Sequence, residues 1–425
     1  MLSLKNKLEE SIIDKNLVNY FVKRFESKDY RGKHISQHNR YTIDKIKNIL
    51  NALKEKGRIE ILVADDKGKY PETAREYIKL VNELKENGIK VSINSLKKNL
   101  FVDMHRMGLI TRFDKDKNEI LDPFKRSKCV KYVQISSSGN DFINKSNLKE
   151  QTFIYMKAID NLSNGFIEKT RQFFLNQVQD LPSNNRAKFK ITRNEFGLFV
   201  TAIDCEFDGN KYTLENISNL YKIWKNLSKK AKENVIYWIN KWCDERKSKD
   251  FFKKNSTQRD WPNFLNEVNQ IINIFSQTSL FDRNDEYDMF LKFGTANSMF
   301  DNEAECFRSL EQTKLYFQKH NVDKQDGYRL HHVIRLKEAK NPIEWKLIDV
   351  WENMIYIYGG IHDEIHDHNK DKLYALKIYD NNEVDFISIF SDKIKVICPA
   401  KYSRFNSKLK DIMLNKNKEL LNSLD

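Results

Sequence analysis

The chain has 425 residues, which is long enough for two or three domains that each bury a core. It carries 74 Lys and Arg against 60 Asp and Glu, a net charge of +14. This excess suits a partner with a dense run of negative charge, such as a phosphate backbone, although basic residues can also serve solubility alone. Because no apolar run approaches the ~18 residues of a membrane span and no signal-peptide core opens the chain, we expect no membrane association.

The five cysteines are odd in number, widely spaced and without a CxxC pair. This usage argues against a disulfide framework and against a cysteine-rich zinc knuckle. It suits a reducing compartment, so we expect a cytoplasmic protein. The cysteines are Cys129, Cys205, Cys243, Cys306 and Cys398.

The first 90 residues predict three helices and one short strand. We expect one helix over about residues 5–25, a second over 42–56, and a third from Pro71 to a stop at Gly88. The apolar run 58–64, between the last two helices, predicts the strand.

The stretch 92–107 predicts a helix with a polar outer face. Apolar residues recur there at helical spacing, and Gly108 follows as a left-handed cap. Two short strands, near 111–113 and 131–135, flank a charged tip. The outer face of the helix carries Asn94, Ser95, Lys97, Lys98, Asn99 and Arg106.

Three helices followed by a charged two-stranded hairpin resemble a winged-helix DNA-binding domain, on the segments SINSLKKNLFVDMHRMGLITRF and KYVQIS. The resemblance implies that the last helix enters the major groove, where its six outer residues reach base edges and phosphates. Two alternatives stay open, namely an amphipathic helix with a solvated basic face and a winged helix that contacts proteins.

Residues 140–300 predict mainly helices, near 151–162, 167–178, 193–202, 214–227, 230–244 and 264–275. Extended runs around 278–281 and 287–293 then repeat the order of a helix followed by a hairpin, which allows a second winged-helix module. We expect the aromatic stripe of this region in the core rather than on a base-stacking surface. The stripe consists of Tyr221, Trp224, Tyr237, Trp238 and Trp242.

Five of the nine histidines fall between residues 328 and 368. We expect a strand that presents His331 and His332 at its end, a loop, a strand over 354–358, and a helix from about Ile361. His362 and His366 are four residues apart, so they share one helical face and can bind one metal ion. A purely structural zinc site is the alternative for such a pair.

The His331-His332 doublet, Asn353 nine residues before His362, and the HxxxH helix together resemble the HNH, or ββα-metal, nuclease family. The resemblance implies that His332 is the general base that deprotonates a water, and that Asn353 positions it. It also implies that His331, His362 and His366 hold one divalent cation, and that the products carry 5′-phosphate and 3′-hydroxyl ends. The loop is longer than in the shortest members, and the cysteine knuckle of some members is missing.

The identity of the metal stays open at this point. Family members often work with magnesium, whereas three imidazoles favour zinc, nickel or manganese. Asp363, Asp367 or His368 could replace one ligand, although His368 is expected to point off the ligand face. The Glu-Trp-Lys run at 344–346 has the ExK form of another nuclease fold, but it lacks an acidic partner on an upstream strand.

These features predict an α+β chain with a winged-helix-like DNA-recognition domain (1–140), a mostly helical region (141–300) and an HNH nuclease domain (301–425). The nuclease domain should end in three extended runs, at 373–379, 384–390 and 394–398, and a helix over 407–421. The combination resembles HNH-type type II restriction endonucleases, and among them the type IIS class, which read an asymmetric site and cut a short distance away.

That resemblance implies double-stranded DNA as substrate and a cognate DNA methyltransferase as genetic partner. One active site per chain also implies a homodimer or sequential nicking to cut both strands. The alternatives are a nonspecific or modification-dependent HNH DNase, and a winged-helix regulator whose HNH fold is catalytically silent.

Overall fold

A computed structural model describes residues 3–27, 29–35, 42–61, 75–124, 130–179, 181–186, 188–248, 261–292, 308–367, 373–391 and 395–424. The chain is α+β, as predicted, and forms two compact units. The first unit holds residues 1–140, 158–277 and 283–291, and the second holds 141–157, 278–282 and 292–425. Across the described ranges, no helix is both long and apolar enough to cross a membrane.

The first unit opens with two helices, Leu4–Glu9 and Lys15–Glu26. The prediction of one continuous helix was therefore wrong. The break has a local cause, because the side chain of Asp14 accepts a hydrogen bond from the backbone N–H of Leu17 at 2.9 Å. This contact caps a new helix rather than continuing the first one.

Arg24 fixes the second of these helices inside the first unit. Its side chain is fully buried and donates hydrogen bonds to the carbonyl oxygens of Tyr30 (2.8 Å) and Leu198 (2.6 Å). It also donates to the hydroxyl oxygens of Tyr20 (2.9 Å) and Thr201 (2.8 Å). A buried guanidinium is tolerated only when its donors are satisfied in this way, so the network defines how residues 15–31 pack on residues 198–201.

The segment 43–135 combines three helices with a small antiparallel sheet. The helices are Ile43–Lys54, Arg75–Glu86 and the stretch 93–106, which we term the contact helix. The contact helix is α-helical at Ile93–Ser95 and Phe101–Arg106 and has a π-turn at Leu96–Leu100. Tyr132–Ile135 is the central strand and pairs with both Ile59–Glu60 and Ile110–Phe113. The predicted start at Pro71 and the predicted strand beyond residue 61 lie outside the described residues.

The helices of residues 137–275 follow the predicted order. The same region also contains a two-stranded hairpin. The aromatic stripe is only partly in the core, because Tyr221 and Trp224 are fully buried whereas Tyr237 is 56% exposed. Tyr237 lies on the long helix Lys229–Ser248, one side of which faces solvent. The helices are Ser137–Asn144, Leu148–Ser163, Phe166–Val178, Ser183–Arg186, Arg193–Leu198, Leu214–Lys225, Lys229–Ser248 and Trp261–Phe275, and the hairpin is Cys205–Phe207 with Asn210–Tyr212.

The two predicted extended runs before residue 293 form short strands, Phe281–Arg283 and Met289–Leu291. Met289–Leu291 pairs with Lys190–Ile191 within the first unit. A second winged-helix module in this region stays a prediction.

The second unit contains two three-stranded antiparallel sheets. In one, Met354–Tyr358 lies between Tyr328–His332 and Ser403–Arg404. In the other, Val384–Ser388 lies between Tyr374–Ile378 and Lys395–Cys398. The helices of this unit include Leu310–His320, Pro342–Ile348, Gly359–Asp367 and Lys410–Leu424.

The strand Met354–Tyr358 is buried on both faces, which is unusual for a strand in a small antiparallel sheet. Ile355 and Ile357 pack into one apolar cluster, which also contains Val333, Ile365 and Phe386. Met354 and Tyr356 pack into another, around Tyr316 and Trp351. This strand and its partner 328–332 therefore have a fixed register, since a slip by one residue would exchange the two cores.

We expect Arg24→Met to lower the free energy of unfolding by about 2–4 kcal/mol, because the buried carbonyl oxygens of Tyr30 and Leu198 each lose a donor. Urea unfolding followed by tryptophan fluorescence measures the change. Lys15→Met is the matched control, since Lys15 is exposed on the same helix. Equal unfolding curves for the two variants would show that the Arg24 network adds nothing to stability.

Candidate active site

The two neighbouring histidines on the strand Tyr328–His332 enter different surroundings. His331 pairs with Ile355 and His332 with Met354 on the adjacent strand. Successive side chains of a strand point to opposite faces, so the two imidazoles separate even though they are adjacent in sequence. Both are buried, with 2% of His331 and 7% of His332 exposed.

The helix Gly359–Asp367 follows directly on the strand Met354–Tyr358. The N–H of Gly359 donates to the carbonyl oxygen of Gly327 at 2.7 Å, and Gly327 has a φ of +79°, which favours glycine. A Cβ at position 359 would lie 3.0 Å from that same oxygen. Fully buried Ile365 anchors the inner face of the helix. The turn thus fixes where the helix begins relative to the strand that carries His331.

His331, His362 and His366 form a group that we term the imidazole cluster. One ring nitrogen from each lies within 4.8 Å of the other two. Their ring centroids are 5.2 Å apart for His331 and His362, 5.4 Å for His331 and His366, and 4.4 Å for His362 and His366. Two nitrogens bound to one zinc at ~2.0–2.1 Å are at most about 4.2 Å apart, so small side-chain rotations suffice for shared binding.

The imidazole cluster has the electrostatics of a cation site. Nε2 of His331 is buried and has no hydrogen-bond partner among the described residues. Burial, and then the neighbouring imidazoles of His362 and His366, lower the pKa of His331 well below its usual value. Burial likewise lowers the pKa of His366, with His362 as the next cause. Neutral imidazoles present lone pairs to a metal, so this donor set fits a divalent cation.

His332 makes a different contact. Its Nε2 lies 3.1 Å from Oδ1 of Asp349, a carboxylate that is 1% exposed. The other oxygen of Asp349 accepts hydrogen bonds from Nζ of Lys292 at 3.0 Å and from the N–H of Ser309 at 2.7 Å. Burial alone would raise the pKa of Asp349, but His332, Lys292 and Ser309 together outweigh it and hold that pKa well below its usual value. Asp349 is therefore an ionised acceptor.

Asn353 acts on the loop between the two strands rather than on the ring of His332. Its Nδ2 donates to the carbonyl oxygens of Ile334 and Ile348, both at 2.9 Å, and its Oδ1 accepts from the N–H of Ile334 at 3.0 Å. The side chain is fully buried. It thereby joins the two ends of the loop, close in sequence to His332 at one end and Asp349 at the other.

The six predicted DNA-contacting residues on the contact helix differ in the exposure and in the hydrogen bonds of their side chains. Asn94 and Lys98 are exposed. The hydroxyl of Ser95 is part of a capping box with Ser92. Arg106 makes long hydrogen bonds of 3.4 Å to Asp103 and to the carbonyl oxygen of Ile35. Lys97 and Asn99 are half-buried within the π-turn.

The structure brings together the three predicted metal ligands. His332 and Asn353 are not part of this group, because His332 contacts Asp349 and Asn353 binds the loop between the strands. His368 lies outside the described residues, as does the side chain of Asp367. The 344–346 run is on the helix Pro342–Ile348, not on a strand, and buried Glu344 pairs with Lys149 at 2.5 Å. This arrangement argues against the ExK alternative.

Sequence reasoning missed Asp349 and Lys292. Neither belongs to a recognisable motif, and the two residues are 57 positions apart in sequence. Only the folded chain shows that Lys292 contacts Asp349 and that Asp349 contacts His332.

Two family models match the chain, and both describe domains of the same enzyme. The type IIS restriction enzyme MboII middle domain matches residues 42–146, and the type IIS restriction enzyme MboII C-terminal domain matches residues 309–424. Together the two matches span just over half of the 425 residues. The chain belongs to the family of type IIS restriction enzymes. No curated protein and no solved structure matched it.

The type IIS membership makes the chain a site-specific DNA endonuclease with DNA as its substrate. The middle-domain match contains the contact helix. The C-terminal match contains His332, Asn353 and the whole imidazole cluster.

We expect His366→Ala to weaken zinc binding by about 100-fold or more, because it removes one of three donors, and even the loss of a residue that only supports a ligand costs 10–100-fold. Isothermal titration calorimetry with Zn²⁺ at neutral pH measures the affinity. His34→Ala, at an exposed histidine outside the cluster, is the control and should bind like the unaltered protein. Unchanged binding by both variants would rule out the cluster as the metal site.

Proposed function

We propose that this type IIS enzyme hydrolyses DNA phosphodiester bonds by a single-metal HNH mechanism, leaving 5′-phosphate and 3′-hydroxyl ends. The observation that carries the proposal is one strand that supplies His331 to a three-imidazole cluster and its neighbour His332 to a carboxylate. Support also comes from a strand pair followed at once by a helix that carries two of the three cluster residues, the order that a ββα-metal site requires.

His332 is the proposed general base. Burial lowers its pKa, so the ring is neutral and can accept a proton at neutral pH. Its Nε2 is engaged with Asp349, which leaves Nδ1 as the nitrogen available to a water. Asn353 keeps the following loop closed and so supports the position of the ring.

His331, His362 and His366 are the proposed metal ligands. A divalent cation held by them would neutralise the charge that develops on the phosphoryl oxygens and on the departing 3′ oxygen. Magnesium is the expected activator by resemblance to the family, and manganese, nickel or zinc suit the imidazole donors better.

The direct test of metal dependence is cleavage of a mixed-sequence plasmid with magnesium, manganese or zinc added to chelator-treated protein. We expect discrete fragments with at least one metal, preceded by nicked circles if one active site cuts each strand in turn. A homodimer would instead give linear products without a nicked intermediate. Equal cleavage in excess chelator would contradict a metal-dependent mechanism.

We expect His332→Ala to lower the cleavage rate by about 10²–10⁴-fold while DNA binding stays unchanged, because only proton transfer is lost. The single-turnover cleavage rate is measured with enzyme in saturating excess over DNA. DNA binding is measured by fluorescence anisotropy in the presence of a chelator, so that no cleavage occurs. His34→Ala serves again as the histidine control. A His332→Ala variant that cleaves normally would refute the role of this residue as base.

We further propose that the middle domain reads DNA as a winged helix. Support comes from the order of helices and strands in 43–135 and from a sheet whose last strand is central. The exposed Asn94 and Lys98 lie on the third helix, where such domains contact the major groove. The π-turn at Leu96–Leu100 is also informative, because π-turns inside helices concentrate at functional sites.

We expect Lys98→Ala to weaken DNA binding and to lower the slope of log affinity against log salt by about 1, as the loss of one phosphate contact does. Anisotropy titrations between about 50 and 200 mM salt give the slope. Lys85→Ala is the matched control, because Lys85 is equally exposed on the preceding helix. Identical slopes in the two variants would count against a DNA-facing contact helix.

A further inference from the structure

We propose that Asp349 is a positioning residue that holds His332 in the Nε2–H tautomer and thereby assigns Nδ1 as the nitrogen that takes the proton from water. Lys292 and the N–H of Ser309 in turn hold the carboxylate in place. This inference rests on the proposed role of His332 as the general base.

The hydrogen-bond inventory determines the tautomer. An ionised carboxylate can only accept, so the contact between Oδ1 of Asp349 and Nε2 of His332 at 3.1 Å requires a proton on Nε2. A neutral imidazole carries one N–H, so Nδ1 must then hold a lone pair. The opposite tautomer would place the lone pair of Nε2 against a buried carboxylate oxygen, which is unfavourable.

The second step is that Nδ1 is free to act. Nδ1 of His332 makes no hydrogen bond to any residue in the described part of the chain, whereas Nε2 is committed to Asp349. The residue is 7% exposed, so it is buried but not completely enclosed. One nitrogen is therefore used for orientation and the other is left for chemistry, the division of labour seen in other carboxylate–histidine pairs.

The third step is that the carboxylate is itself fixed. The side chains of Lys292 and Asp349 are 4% and 0% exposed, and their 3.0 Å contact balances the buried charge. The N–H of Ser309 binds the same oxygen as Lys292, which leaves Oδ1 for His332. A carboxylate that accepts hydrogen bonds from three donors has little freedom to rotate. It therefore holds the imidazole ring of His332 in one orientation.

A purely structural role for Asp349 is the competing explanation, because its N–H also ends the helix Pro342–Ile348 by donating to the carbonyl oxygen of Trp345 at 2.8 Å. The backbone contact survives any side-chain substitution. An informative experiment must therefore change the side chain without leaving a buried charge unpaired.

The test uses the double substitution Asp349→Asn with Lys292→Met, which removes both charges together. Its matched control is Asp288→Asn with Lys190→Met, which removes a Lys–Asp pair of 2.6 Å in the first unit. An asparagine can donate from its amide to Nε2 and so favours the Nδ1–H tautomer. In serine proteases the same exchange lowers turnover by about 10⁴-fold. We expect the double variant to bind DNA and zinc within about threefold of the unaltered protein while its single-turnover cleavage rate falls by about 10²-fold or more. The control Asp288→Asn with Lys190→Met should cleave at the rate of the unaltered protein.

A spectroscopic measurement keeps the inference testable even if the double variant does not fold. Nitrogen-15 NMR of the unaltered protein, with the His332 signals identified by their loss in His332→Gln, should show Nε2 protonated and Nδ1 bare. A proton on Nδ1 would overturn the inference. So would a folded double variant that cleaves at the original rate while His332→Ala is inactive. Normal cleavage by His332→Ala would instead overturn the proposed function itself.

Discussion

The pairing of the strands Tyr328–His332 and Met354–Tyr358 is the constraint on which the candidate site depends. It sends two adjacent histidines to opposite faces of one sheet, His331 into the imidazole cluster and His332 towards Asp349. The inner strand is buried on both faces, so a shift in register would exchange two different apolar cores. The stability of the second unit and the separation of the imidazole cluster from the contact between His332 and Asp349 therefore have the same physical origin.

Each unit contains a buried charged side chain with several hydrogen bonds. Arg24 in the first unit donates to five acceptors, and Asp349 in the second accepts from three donors. Such groups are costly to desolvate, and removal of one member leaves its buried partners unsatisfied. The hydrogen bonds also fix the orientation of each side chain. Asp349 fixes the orientation of the His332 ring, which the proposed mechanism uses for proton transfer.

The parts of the structure that depend on local spacing could be predicted from the sequence. The HxxxH pair, the doublet at the end of a strand and the helix that follows the strand Met354–Tyr358 each follow from short-range patterns. That helix begins at Gly359, two residues before its predicted start. What depends on distant partners could not be predicted. Lys292 and Asp349 are brought together by the fold alone, and the break before Lys15 reflects a single capping aspartate within an otherwise helical pattern. Tyr237 was misassigned because an amphipathic pattern does not show how wide the buried face will be.

The composition of the imidazole cluster bears on how such a site would treat a phosphate. An imidazole that binds a metal through its lone pair is uncharged, so a divalent cation held by three imidazoles would keep more of its charge for the phosphate than one held by carboxylates. The acidic neighbour Asp363 lies 3.3 Å from Nδ1 of His362 and also pairs with Arg329 at 2.6 Å. Asp349, the buried carboxylate that contacts His332, has its charge balanced by Lys292. In the proposed mechanism the negative charge of Asp349 would thus lie behind the base, and a bound cation would keep positive charge for the phosphate of the substrate.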